Sequence, residues 1–500
     1  MGRSILSNWL GLAVSGIVSF LLTPLLIHHL GAMYFGMWVL AASLLDYYGL
    51  LDIGMRTALF RFIARFHGAE QREELDATLA TALAMAVVVI VLLLLLLPPA
   101  VALLPRYFAA GAAAPAFRWT LALVGLTLAA TMPARVLGSY LCGIRRFDLY
   151  NCAGIATVSL RGLLIAAVLW SGRGIVAVAA GSLVAALVSL ALSAWLVRRA
   201  DRRARPSWRR VSWSRARELF GYGVFAFINV SGESLRSYTD AIVIARLLTL
   251  ALVTPFSIAT RLIEYFKSVV SAVGGPLLGR MSELEGRAES DRLRRYFLQS
   301  TKYFALASFC LGGFLLLDGR QLISLWIGRQ YASSYSLLAV LTVGYIAAFA
   351  QLPSQIVVFA LARHRFLAGL TLCEGLVNLG LSIVWAQRWG LIGVALGTTV
   401  PLLAAKLLVQ PWYALRVIGV SAGEYLREAL LRPLAVAAVF LLAGWAITTR
   451  ASAIGPFAAS LGAQATLFIA LVWALALSGS ERHFLRGNGR RLAAQLWVAS

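Results

Sequence analysis

Val87-Val-Val-Ile-Val-Leu-Leu-Leu-Leu-Leu-Leu97 is an unbroken aliphatic run with no polar position on any face. A strand or helix at the surface of a water-soluble domain keeps one side polar, so this run has no place there. Extended back to Ala77, it reaches the roughly 20 helical residues that cross a hydrocarbon core of about 30 Å. Thirteen further apolar segments stand on either side of it. The predicted spans are 5–27, 34–55, 77–97, 118–140, 151–171, 174–197, 219–245, 251–275, 301–319, 336–360, 367–387, 390–410, 433–449 and 457–478. The first is too long for a signal-peptide core and is expected to be a retained helix.

The whole chain agrees with this local reading. Hydrophobic residues make up 60% of the 500 positions and charged residues 13%. Soluble domains hold about 45–50% and about 25%. A mean hydropathy of +0.81 leaves too little polar surface for a soluble fold and excludes disorder. The expectation is an all-α integral membrane protein with about fourteen transmembrane helices.

The net charge of +24 needs its own explanation, since basic chains bind nucleic acid, anionic lipid or anionic substrates. Of the 45 Lys and Arg, 31 fall on one set of alternate loops and 8 on the other. That bias follows the positive-inside rule and predicts cytoplasmic amino and carboxyl termini. The cluster Arg198–Arg217 then reads as a topological anchor on anionic inner-leaflet lipid, not as a nucleic-acid site. Cys142, Cys152, Cys310 and Cys373 show no paired spacing, so neither a disulfide nor a metal site is expected.

An internal repeat organises the spans. Gly174-Ile-Val-Ala-Val-Ala-Ala-Gly-Ser182 matches Gly390-Leu-Ile-Gly-Val-Ala-Leu-Gly-Thr398 in residue class. Upstream, Gly143-Ile-Arg-Arg-Phe147 echoes Ala362-Arg-His-Arg-Phe366, and the inner loop 56–76 has a counterpart at 276–302. Both halves begin inside, so the repeat is parallel. The expected division is an N-lobe over 1–200 and a C-lobe over 201–420, joined by a basic linker at 198–218. Residues 421–500 hold two further spans and a cytoplasmic tail. Pro24, Pro133, Pro255, Pro353 and Pro401 interrupt spans and free backbone carbonyls there.

The turn His28-His29-Leu30-Gly31-Ala-Met-Tyr34-Phe-Gly36-Met-Trp38 resembles the polysaccharide-transporter branch of the MOP flippase superfamily. So do Leu51-Asp52-Ile-Gly54, the paired glycine-rich turns, and Phe220-Gly221-Tyr-Gly223 leading to Thr239-Asp240. The resemblance runs from about residue 5 to 478. It implies two six-helix lobes around a central cavity plus two C-terminal helices. It also implies movement of undecaprenyl-diphosphate-linked oligosaccharide between leaflets of the bacterial inner membrane by Wzx-type flippases. Membrane lipids, a polysaccharide polymerase and a chain-length regulator would be the partners, and the first two spans of each lobe would line the cavity. The first span lacks the Arg of the lipid II flippases, with Asn8, Ser15, Ser19 and Thr23 in its place, which argues against lipid II.

Charges inside spans cost at least about 2.5–3.5 kcal/mol near the bilayer centre, so they face a cavity or a partner. Span 219–245 carries Glu233, Arg236, Ser237 and Asp240 at i, i+3, i+4 and i+7. Span 251–275 carries Arg261, Glu264, Tyr265 and Ser268 at the same spacing, with Lys267 offset. Each set forms one helix stripe. Two readings stay open: the stripes line a hydrated cavity, or their charges neutralise one another to lock the helices. A guanidinium stays protonated and can grip diphosphate oxygens bidentately, which suits Arg236 and Arg261 to the implied substrate. Arg161 stands mid-span, in a cavity or an interlobe pair, and Asp46 is a candidate proton or sodium site. Asp52 and Arg56 read as a local helix-end pair, and Arg135 and Lys406 as side chains that snorkel to the interface.

No G-x-x-x-x-G-K-[ST] loop is present, and no hydrophilic segment is long enough for a catalytic head. The chain is therefore not expected to be an enzyme or to hold a cofactor. The alternative within the same resemblance is a cation-coupled MATE-type drug or metabolite antiporter.

Overall fold

In the computed structural model the run at 87–97 becomes the middle of one long helix, and its surroundings explain its composition. Val88, Leu95 and Leu96 are exposed while Leu93 and Leu97 are buried, all on the same helix. Apolar side chains facing outward and inward alike suit lipid and not water. The structure describes residues 2–46, 55–202, 206–271, 274–448, 454–479 and 481–483, and among these every regular element is helical.

The α-helices are α1 (Gly2–Asp46), α2 (Met55–Gly68), α3 (Arg72–Tyr107), α4 (Ala114–Gly143), α5 (Phe147–Trp170), α6 (Ile175–Ala200), α7 (Trp213–Leu247), α8 (Val253–Ser271) and α9 (Gly274–Gly286). They continue as α10 (Ser290–Trp326), α11 (Ser334–Ala350), α12 (Leu352–Ala360), α13 (His364–Leu403), α14 (Gln410–Ile418), α15 (Ala422–Tyr425), α16 (Leu431–Ile447) and α17 (Ile454–Leu471). Ten described segments are long and apolar enough to cross a membrane. Two of these hold a pair of spans each, because Gly31 breaks α1 and Gly390 breaks α13 with non-helical backbone. With the more highly charged α7 and α8, the fourteen spans read from the sequence are accounted for.

Local chemistry sets where these helices turn. Gly172 at φ 72° and Gly390 at φ 58° take the left-handed conformation that a side chain would strain, which makes both repeat turns tight. Past Gly390, a Cβ on Gly393 would come within 2.0 Å of the Trp385 carbonyl oxygen, so that helix pair packs backbone against backbone. The inner segments expected as loops at 56–76 and 276–302 are largely helical, forming α2 and α9. Span 336–360 is split at Gln351, where Pro353 cannot donate its backbone N–H to the preceding turn.

The chain forms two compact units, residues 1–258 with 368–397, and residues 259–367 with 398–500. In the first, Ile63 of α2, Leu79 of α3, Tyr140 of α4 and Leu196 of α6 share one hydrophobic core. A clasp closes over its polar edge. Arg72 pairs with Asp201, which also accepts the Tyr140 hydroxyl at 2.8 Å. Arg210 binds Asp76 at 2.7 Å, and Arg215 pairs with Glu74 and lies 4.8 Å from the Phe66 ring. Two guanidiniums, those of Arg210 and Arg215, thus meet acids in the first turns of α3, where negative charge is also favoured by the helix dipole, while Arg72 of α3 reaches out to Asp201.

In the second unit, Leu306 of α10, Phe440 of α16 and Phe468 of α17 form a smaller core. The break at Gln351 is filled by polar side chains. Gln410 Nε2 donates to the Gln351 carbonyl oxygen at 2.9 Å, while Gln351 Oε1 accepts from Tyr425 at 2.7 Å and Ser354 at 2.8 Å. Lys406 does not snorkel. It is buried in the π-helical stretch Ala404–Val409, and its Nζ donates to Gln410 Oε1 at 3.1 Å, so a partner inside the unit replaces the interface.

Candidate functional site

The first group of charges is built where α7 crosses the first half of α13. Gly232 and Gly375 make the crossing possible: a Cβ on Gly232 would stand 2.7 Å from the Thr371 carbonyl oxygen, and one on Gly375 2.8 Å from the Gly232 carbonyl oxygen. One turn beyond, Arg236 reaches across to Glu374. Its Nη1 donates to Glu374 Oε1 at 2.6 Å, and a second nitrogen lies 3.6 Å from Glu233. The Arg236 side chain is 10% exposed and that of Glu374 1%, against 45% for Glu233. A further turn along, the Ser382 hydroxyl lies 3.5 Å from Asp240 Oδ1, and both residues are buried. Charge at this depth is tolerated because each ionised group meets an opposite charge or a hydroxyl.

Glu374 and Ser382 were not among the residues singled out from the sequence. The signal existed: Glu374 is the single acid in the apolar span 367–387. Which helix it faces was not legible there.

The second group lies on α8 and has a different setting. Leu262, Ile263, Phe266 and Val270 are buried, and Phe266 meets the Phe349 ring at 4.6 Å between centroids. Arg261, Glu264 and Ser268 occupy the other side and are exposed, with Lys267 half-buried beside them. Among the described residues, the charged groups of Arg261 and Glu264 have no ion-pair or hydrogen-bond partner. An exposed guanidinium on a helix of spanning length requires water or an anion against it, since lipid tails offer neither.

Arg161, on α5, stacks its guanidinium 5.9 Å from the Trp38 ring, a cation–π contact that shields part of its charge. The first unit also contains a cavity of about 440 Å³ among α1, α4, α5 and α6. Arg135 lines it together with Ser15, Tyr150, Asn151, Ser189 and Ser193. Asp46 closes α1, but its side chain, with all of Asp52, lies outside the described residues. His28 and His29 each place Nδ1 near the carbonyl oxygen four residues back, at 2.8 and 2.9 Å. No cluster of three or more potential metal ligands occurs among the described residues.

A cationic, helical membrane protein of this layout can be compared with known proteins. The profile of a family described as polysaccharide biosynthesis protein matches residues 30–336. The chain belongs to the polysaccharide biosynthesis protein family. The chain is 21% identical to a Shigella flexneri protein proposed as an O-antigen transporter, over 83% of this chain and 97% of the relative. It is also 21% identical to EpsK, an uncharacterized membrane protein of Bacillus subtilis (strain 168), over 87% and 86% of the two chains. The fold is shared with the lipid II flippase MurJ in an inward closed conformation, at a TM-score of 0.72 and 13% identity, covering 97% of this chain and 99% of that one. An inward-facing multidrug MATE transporter of the MOP superfamily aligns at 0.66 and 18% identity, covering 83% and 94%. The family member described here is therefore an integral membrane protein with the MOP transporter fold.

Proposed function

We propose that the protein is a flippase that carries undecaprenyl-diphosphate-linked oligosaccharide from the inner to the outer leaflet of a bacterial inner membrane, for O-antigen, capsule or exopolysaccharide assembly. The observation that carries this reading is Arg261, exposed on α8 and without an ion-pair or hydrogen-bond partner for its guanidinium among the described residues. Its fork of donors suits phosphate oxygens, and Glu264 beside it keeps the grip reversible and offers acceptors to sugar hydroxyls. Lys267 adds a second cation on the same helix. Arg236, Glu233 and Asp240 act on α7, with Glu374 holding Arg236 in place; Arg161 and Asp46 complete the proposed cavity set.

The family match and the O-antigen relative support a substrate from polysaccharide synthesis. The fold alone is neutral between flippases and drug antiporters. Against the antiporter stands Arg261, which repels the cations such transporters expel. In this reading both termini are cytoplasmic and the two repeat lobes, 1–200 and 201–420, alternate access by moving against each other. The protein performs no covalent chemistry, and a polymerase and chain-length regulator take the product.

The test is transport in proteoliposomes with a fluorescent lipid-diphosphate oligosaccharide. Arg261→Ala is expected to slow leaflet exchange about tenfold or more, the loss of a charge-assisted hydrogen bond worth about 1.5–3 kcal/mol. Unchanged exchange at equal protein levels would remove Arg261 from the site, and dye efflux driven by a cation gradient would replace flippase by antiporter.

A further inference from the structure

Asp318 lies in α10, far along the chain from every residue assigned above, and is 2% exposed. Neither of its carboxyl oxygens has a hydrogen-bond partner. The side chain that approaches it is Gln464 of α17, itself fully buried. Gln464 Nε2 donates to Thr448 Oγ1 at 3.3 Å, while Gln464 Oε1 is also left without a donor. Three buried oxygens are thus left without a hydrogen-bond donor, the nearby hydrogens being those of the Gln464 amide nitrogen, which donates to Thr448.

Among the described residues the surroundings offer no counter-charge. Helix α17 carries no charged residue, and α16 carries only Arg432, at its opposite end. From α11, Tyr335 is the titratable group that faces Asp318, and its hydroxyl is used by the Leu316 carbonyl. On its own helix, Arg320 is exposed two residues on. A bare carboxylate in such a shell loses hydration worth several kcal/mol and recovers none of it.

We propose that Asp318 is a proton-binding site, occupied as a carboxylic acid whose O–H donates to Gln464 Oε1. One proton pairs two of the three oxygens at once, an Asp318 oxygen and Gln464 Oε1, whereas a metal ion would need several further oxygen ligands. Release of this proton leaves an ionised group that apolar neighbours cannot solvate. Proton loss is therefore tied to the opening of α17, one of the two helices beyond the repeat, away from α10.

Infrared difference spectroscopy on the full-length protein in lipid nanodiscs tests this without any transported substrate. At neutral pH a carboxylic acid C=O band is expected in the wild type and absent in Asp318→Asn, which keeps the shape and the donor. Gln464→Leu should shift the same band to higher frequency as its hydrogen bond is lost. Should Asp318→Asn fail to fold, that shift assigns the band without it. Carboxylate stretches in place of the acid band would overturn the proposal. So would conversion of the acid band to carboxylate on replacing choline by sodium, which would make the site a metal-ion site.

Discussion

Helices α7 and α8 carry nearly the same polar stripe and meet opposite fates. On α7, Arg236 is drawn into the protein and held by Glu374. On α8, Arg261 and Glu264 stay exposed and unpaired among the described residues. The difference is not in the stripe but in what crosses it. Gly232 and Gly375 let α13 approach α7 until their backbones touch, which brings Glu374 within reach. Among the described residues, no acid pairs with Arg261 in this way. A buried pair of this kind contributes to specificity of packing more than to net stability, while an exposed cation keeps its full field for a ligand.

Removing one partner from the α7–α13 pair is the severest way to break the comparison. Glu374→Ala leaves Arg236 charged and buried, and is expected to cost about 3–5 kcal/mol of stability. Thermal unfolding in detergent measures it, and adding Arg236→Met to Glu374→Leu should recover most of the loss. Full stability of Glu374→Ala would mean that the pair is hydrated and the two stripes are alike.

Next in size is the crossing itself. Gly375→Val places branched carbon against the Gly232 carbonyl and Leu235, and should cost about 1–3 kcal/mol. If the crossing positions Arg236, the same substitution will also make Glu374→Ala less harmful, since the pair is then already separated. Strict additivity would contradict that coupling.

A third pair sharpens the scale from between the extremes. Glu481 follows the last predicted span, with Lys302 Nζ at 2.7 Å and Tyr303 donating at 2.7 Å. Ser478 and Glu481 exchange backbone and side-chain hydrogen bonds at 2.7 and 3.3 Å, a capping box. Burial opposes the charge, but Lys302, the Ser478 N–H and Tyr303 outweigh it and hold the carboxyl down at about 2, below its ordinary 4.5. A depressed carboxyl stabilises the fold above about pH 4.5 and loses that contribution as pH falls towards 2. Glu481→Gln should therefore destabilise by about 1 kcal/mol at neutral pH, after solvent screening. The gap from wild type should close on acidification; a gap that stays constant with pH would assign the effect to packing.

The smallest effect on stability is expected at Arg261. Replaced by Ala, this exposed and unpaired group should change unfolding by less than about 0.5 kcal/mol, even as transport falls. A large destabilisation would show that Arg261 has a structural partner and would erase the contrast with Arg236.

Much of this was legible in the chain itself. Hydropathy is a property of consecutive residues, so the run at 87–97 and its counterparts read directly as spans. The turns at Gly172 and Gly390 read just as directly, because left-handed backbone selects glycine locally. Helices α2 and α9 were missed for a related reason: their polar composition resembles that of a loop, and packing of one apolar face decides that they are helical. Among the site residues, Arg236, Glu233 and Asp240 stand out as charges in a span. Glu374, Ser382, Asp318 and Gln464 gain meaning only when their neighbours are known.

The sequence by itself determined that this is a fourteen-span membrane protein of the polysaccharide biosynthesis family, since spans and turns depend on residues that adjoin. Only the tertiary structure decided the setting of the described intramembrane charges. The partner of Arg236 is 138 residues away, and Asp318 meets Gln464 from another helix altogether. Local pattern prices a charge within the membrane; contact at long range decides whether it is paired, protonated or left free for a ligand.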